Sequence, residues 1–307
     1  GGQAGPLPWV PGPVGVRGQE TSGYSSYLST PRGSSVETTS RTAEKRATRR
    51  GIKLIYAITN QKGGVGKTTT AINLAASIAQ SGERVLLVDM DPQANASHGL
   101  GVGVPGGEPA ILDVLLGDKP ISAVTRPCCV DGLDLVPSSP DMAGASVLLP
   151  DMERREFRLK DALIDPGGPS VQYSYIFVDC PPSLGLLTLN SLVAADQVLI
   201  PVQTEYFALE GLAQLMSTIN VVKERLNPNL KIAGLALTMV DNRTMLARDV
   251  EDEIRRHFPE LTFKTVVPRN VRLAEAPSHG IPVSLLDPSC AGSDAYFYLA
   301  MEVVEHG

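Results

Sequence analysis

Aromatic residues are scarce in this chain, 5% of 307 residues with a single Trp, and only four cysteines are present. The cysteines are Cys128, Cys129, Cys180 and Cys290, with no C-x-x-C pair. Adjacent cysteines rarely bridge, so neither a disulfide framework nor a cysteine metal site is expected, and a reducing cytosol fits best. No apolar run reaches 18 residues, which argues against a membrane-spanning helix. A large excess of one charge is also missing. With 27 basic and 33 acidic residues the net charge is −6, so any nucleic-acid surface has to be a local patch. The first residues contain no apolar core followed by a small-residue cleavage site, so they do not read as a secretory signal.

What is present divides in two. Residues 1–50 are rich in Gly, Pro and Ser and hold seven Lys/Arg against three Glu. This composition predicts a disordered basic arm, a solvated linker or an electrostatic tether to nucleic acid. Residues 51–307, with the remaining 20 basic and 30 acidic residues, form the expected folded domain. Its apolar runs fall at 54–59, 84–89, 133–137, 175–179, 197–202, 232–240 and 262–267. Several are apolar almost throughout, as in strands buried on both faces of a sheet. Helical patterns occupy 67–80, 184–195, 207–226, 244–257 and 292–305, and 105–170 is less regular. The alternation predicts an α/β fold with a doubly wound, mostly parallel sheet flanked by helices.

The chemistry concentrates in "QKGGVGKTTT" (61–70), between the first strand and the first helix. A phosphate loop of the pattern G-x-x-x-x-G-K-[ST] requires that context. Gly63, Gly64, Val65 and Gly66 would bring backbone N–H groups to phosphate oxygens, and the helix start at Lys67, Thr68 and Thr69 adds donors and a favourable dipole. Lys67 suits β/γ-phosphate charge, and the Thr68 hydroxyl suits Mg²⁺. The pattern asks for glycine where Gln61 stands, and it does not ask for Lys62. Two strands end in acids: Asp89, with Asp91 two residues on, and Asp179. Asp179 fits a magnesium partner, and one of Asp89 and Asp91 could orient the attacking water.

These segments, with "FVDCPPSLGLLTLNSL" (177–192), "PVQTEYFALEGL" (201–212) and "VPRNVRLAEAPSHG" (267–280), resemble the deviant Walker A P-loop ATPases, most closely the ParA/Soj partition branch of the MinD/ParA superfamily. The resemblance spans about Lys53 to Val304. It implies ATP and Mg²⁺ as ligands and slow intrinsic hydrolysis. Lys62 becomes the signature lysine that reaches the partner's ATP in a sandwich homodimer. Asp91 becomes the residue that positions water and supports the metal beside Thr68 and Asp179. Pro181 and Pro182 belong to the γ-phosphate switch, and Pro268 and Asn270 lie where the family contacts adenine.

The same resemblance implies nonspecific DNA binding by the ATP-bound dimer and a ParB/Spo0J-like centromere-binding protein as stimulator. A cytoplasmic, nucleoid-associated protein serving chromosome or plasmid segregation follows. Candidate DNA contacts are Arg243, Arg248, Arg269 and Arg272. On a helix, Arg248, Arg255 and Arg256 could share a face with the acids pointing elsewhere. The alternative is a MinD-like cell-division regulator at the membrane, which would end in a basic amphipathic helix. The terminal "AYFYLAMEVVEHG" is acidic and has no Lys or Arg, so no membrane partner is expected.

Overall fold

The computed structural model describes residues 54–165, 172–241 and 243–306. The expected arm, 1–50, lies outside the described residues. Eight strands form one sheet in the order β3-β4-β2-β5-β1-β6-β7-β8. They are β1 Leu54–Ile58, β2 Val85–Asp89, β3 Arg126–Pro127, β4 Leu133–Val136, β5 Tyr175–Asp179, β6 Gln197–Gln203, β7 Lys231–Val240 and β8 Thr262–Pro268. Every pairing is parallel except β3 with β4. The expected doubly wound sheet is therefore observed, with the two-residue β3 added at one edge.

Alternation along the strands builds two cores. Ile55, Ala57, Leu86 and Val88 face one apolar cluster, and Tyr56, Ile58, Val85 and Leu87 face the other. Successive side chains point to opposite faces, so strands buried on both sides read as unbroken apolar runs. Five long helices cover the faces: α1 Lys67–Gln80, α2 Leu186–Ala194, α3 Ala208–Arg225, α4 Met245–His257 and α5 Ala291–His306. Helix α3 ends just before Asn227-Pro228, and α4 is capped by Thr244, whose hydroxyl accepts from Ala247 N.

Helices α1 and α5 share one core, joined by a hydrogen bond between Thr70 Oγ1 and the buried Tyr296 hydroxyl, 3.1 Å. Among its described residues, the irregular 105–170 stretch contains α-helices of only four to seven residues. Among the described residues, no helix is long and apolar enough to cross a membrane. The central strand β1 lies between β5 and β6, so the loop after it opens at the carboxyl ends of the strands.

Candidate active site

The loop after β1 owes its path to two glycines. Gly64 (φ 76°) and Gly66 (φ 85°) adopt left-handed backbone that other residues enter only at a cost. Val65 is buried and its carbonyl accepts from Thr238 Oγ1 of β7 at 2.8 Å, which ties the loop to the sheet. Thr70 N then donates to Gly66 O at 2.8 Å, the first bond of α1. Asn60 braces the entry, donating to Pro201 O at 2.7 Å and accepting from Lys62 N at 3.0 Å.

The two lysines behave differently. Lys67 is 7% exposed and folds back so that Nζ donates to Lys62 O at 3.1 Å. Burial lowers its pKa, against the opposing pull of Asp179, Cys180 and Asp91. Lys62 projects to solvent, where its ammonium pairs with Glu205, just beyond β6. Glu205 is 143 residues away in sequence, and no local pattern points to it.

Three carboxylates gather at the ends of β2 and β5. Asp89 and Asp179 are register partners, and both are fully buried. Asp89 has its oxygens occupied by backbone and hydroxyl donors. Burial raises its pKa to about 6, despite those hydrogen bonds. Asp179 differs: neither of its oxygens has a well-formed hydrogen bond. Burial, then the neighbouring charges of Asp89 and Asp91, raise its pKa well above the usual carboxylate range, and nearby Thr68 and Lys67 only partly offset them. A buried acid without partners is costly, and this one asks for a cation or a proton. Asp91 is 5% exposed and its Oδ1 accepts from Gln93 N at 2.9 Å. Gly63 to Thr69, Asp91 and Asp179 thus meet at one mouth of the sheet. Cys180, whose thiol burial pushes up to about 12, leads from Asp179 into Pro181 and Pro182.

Pro268 closes β8 and lines a cleft of about 440 Å³ with Val240, Asp294 and Tyr298. Asn270 has its Oδ1 engaged by Arg272 N at 2.8 Å, capping the short helix Val271–Glu275. The arginines are less unified than the sequence suggested. Arg243 is exposed and pairs with Asp241, whose carboxyl it holds down at about 2. Arg272 pairs with Glu275 and Asp287. Arg269 and Arg248 are exposed. On α4 the arginines are not separated from the acids. Arg255 pairs with Glu251 and donates to Phe263 O at 3.0 Å, and Arg256 pairs with Glu253. Glu251 and Glu253 therefore do not point away from the arginines; they pair with them. Residues that sequence reasoning passed over are Glu205, Ser97 and Thr238. Glu205 and Thr238 act through contacts between distant segments, and Ser97 joins the nearby Asp89 to the more distant Ser138.

A family model described as an AAA domain matches residues 53–232. The chromosome partitioning protein ParA of Myxococcus xanthus is 52% identical over 82% of this chain and 88% of its own length. The sporulation initiation inhibitor protein Soj of Bacillus subtilis is 50% identical over 82% of this chain and 99% of its own. Among solved structures, one titled cobyrinic acid a,c-diamide synthase from Mycobacterium smegmatis, with bound ADP and magnesium, superposes with a TM-score of 0.71. It is 36% identical and covers 83% of this chain and 95% of that one.

Proposed function

Because this chain belongs to the ParA/Soj family of chromosome-partitioning ATPases, we propose that it binds ATP with Mg²⁺ and hydrolyses the γ-phosphate to time its hold on DNA. The observation that carries this reading is the buried, unpartnered carboxylate of Asp179 beside Lys67 and Thr68 at the mouth of the glycine loop. Among the described residues no three His, Cys, Asp or Glu side chains form a ready metal cage. Magnesium suits such a place, since it keeps waters and substrate oxygens as ligands. Asp179, Asp91 and the Thr68 hydroxyl would hold it, directly or through water. When bound, it neutralises phosphate charge.

The chain's own groups then divide the work. Backbone N–H groups of Gly63 to Thr69 cradle the phosphates, and Lys67 leaves Lys62 O to pair with β/γ oxygens. Asp91 directs a water at the γ-phosphate. Pro268 and Asn270 border the base; with Oδ1 engaged in the helix cap, the amide N–H groups of Asn270 are free to donate. Lys62 exchanges Glu205 for the ATP of a second copy, which makes dimerisation depend on nucleotide. Arg243, Arg248, Arg269 and Arg272 give the ATP-bound dimer phosphate contacts without sequence choice, and hence nucleoid association. A ParB-like partner accelerates hydrolysis and release. The basic arm at 1–50 adds a second electrostatic tether.

Asp91→Ala and Lys62→Ala test this together, by sedimentation with ATP and Mg²⁺. Asp91→Ala is expected to accumulate a long-lived dimer, and Lys62→Ala to bind ATP yet stay monomeric. A Lys62→Ala dimer as stable as wild type would refute the sandwich.

A further inference from the structure

The carboxylate of Asp89 is buried next to Asp179, yet it is fully engaged. Its Oδ1 accepts from Asp91 N at 3.1 Å, and its Oδ2 accepts from Ser97 N at 2.9 Å and Ser97 Oγ at 2.7 Å. Ser97 Oγ in turn accepts from Ser138 N, just past β4, at 2.9 Å. One acid therefore ties together both ends of the 91–97 turn and a third strand end. Inside that turn, Asp91 Oδ1 takes Gln93 N, and Asp91 O takes Ala94 N at 2.9 Å. Ala94 is held at φ 53°, ψ 33°, left-handed backbone that a non-glycine residue keeps only when its surroundings impose it.

Capping alone does not account for this arrangement. The short helix Asn95–Gly99 could be capped by a neutral Asn or Ser, whereas burying a carboxylate beside a second carboxylate is costly. An acid with both oxygens engaged by three donors instead specifies one geometry for the turn. Asp91 is the residue whose direction that geometry sets: its backbone N–H is bound to Asp89, and its side chain points into the turn.

We propose that Asp89 and Ser97 are positioning residues for hydrolysis, which lock the 91–97 turn so that the Asp91 carboxylate is aimed at the attacking water. The proposal rests on the role given to Asp91 above. Neither residue is assigned a contact with nucleotide, so the signature is a loss in turnover without a loss in affinity.

The test measures phosphate release and KM for ATP on the full chain. Ser97→Ala is expected to lower kcat roughly tenfold with KM within about twofold, since a small misdirection of a catalytic group costs this much or more. Ser97→Thr keeps the hydroxyl and restores most of the rate. Asp89→Asn, which loses an acceptor, reproduces the kcat-only loss. Asp91→Ala sets the floor, and adding Ser97→Ala to it lowers turnover no further. Melting curves and ATP binding confirm that each variant folds.

Wild-type kcat in Ser97→Ala, beside a dead Asp91→Ala, overturns the proposal and leaves the Asp91 assignment standing. An equal tenfold loss when Ser97→Ala is added to Asp91→Ala also overturns it, as does a KM that rises in step with the lost rate. Brisk turnover by Asp91→Ala removes the assignment itself, and the proposal with it.

Discussion

The phosphate mouth and the arginine surface are built from opposite materials. At the mouth, Lys67, Asp89, Asp91 and Asp179 are all buried, at most 7% exposed, and each is fixed by a strand end or a helix start. On the surface, Arg243, Arg256 and Arg272 are exposed and already paired with acids of their own neighbourhood. Charges in a buried site are few, costly and specific. Exposed ion pairs are worth little, and salt screens them, so such arginines can exchange one anionic partner for another. The mouth is preorganised, and under the proposed function the surface would serve reversible, nonspecific attachment.

The largest expected effect breaks the mouth. Lys67→Ala should weaken ATP binding roughly a hundredfold, about the worth of a charge-assisted hydrogen bond near 3 kcal/mol. Titration with a fluorescent ATP analogue checks this, and near-normal affinity would mean the loop is not organised around that lysine. The surface is next. Combining Arg243→Ala with Arg272→Ala should leave ATP binding intact, weaken DNA retention at least tenfold, and lower the slope of log affinity against log salt by about 2. An unchanged slope would remove both from the DNA contact.

Arg255 sharpens the boundary between the regions. Its bonds to Glu251 and to the carbonyl of Phe263 make it part of the fold. Arg255→Ala should cost about 1–2 kcal/mol and a few °C in Tm, with an unchanged salt slope for DNA. A lost phosphate contact with normal melting would put Arg255 back on the DNA surface.

The smallest effect is a pH dependence. Asp89 and Asp179 both have pKa values raised by burial, so the folded state holds a proton more tightly than the unfolded chain. That contribution is fully present below the unfolded value near 4 and is lost as pH rises through about 6, the value for Asp89. Nucleotide-free Asp179→Asn should therefore melt a few °C above wild type at alkaline pH, with the gap closing as pH falls toward the unfolded carboxylate value near 4. A gap that stays constant with pH would show that the pair does not titrate in this range.

Much of this was legible in the sequence because strand, glycine loop and helix are consecutive. The runs at 54–59, 84–89 and 175–179 lead at their carboxyl ends to the glycine loop, Asp89 and Asp179, and the rule that ligands gather at the carboxyl ends of parallel strands points these groups to one edge. The 105–170 stretch was illegible for the converse reason. Helices of four to seven residues show too little of a 3.6-residue period, and β3 has two residues, one of them a proline. Contacts across long separations were equally hidden. Glu205 on Lys62, Ser138 on Ser97 and Thr238 on Val65 need the sheet order before they can be seen. The contacts of Arg255 with the fold were hidden because composition shows its charge but not the carbonyls it meets on β8.

The central claim is that nucleotide at the buried mouth governs attachment at the exposed surface. The direct measurement is retention of nonspecific DNA by the full chain with ATP–Mg²⁺, with ADP–Mg²⁺ and without nucleotide, in wild type and Asp91→Ala. The account predicts retention with ATP alone, prolonged in Asp91→Ala and lost at high salt. Equal retention in all three conditions would contradict it.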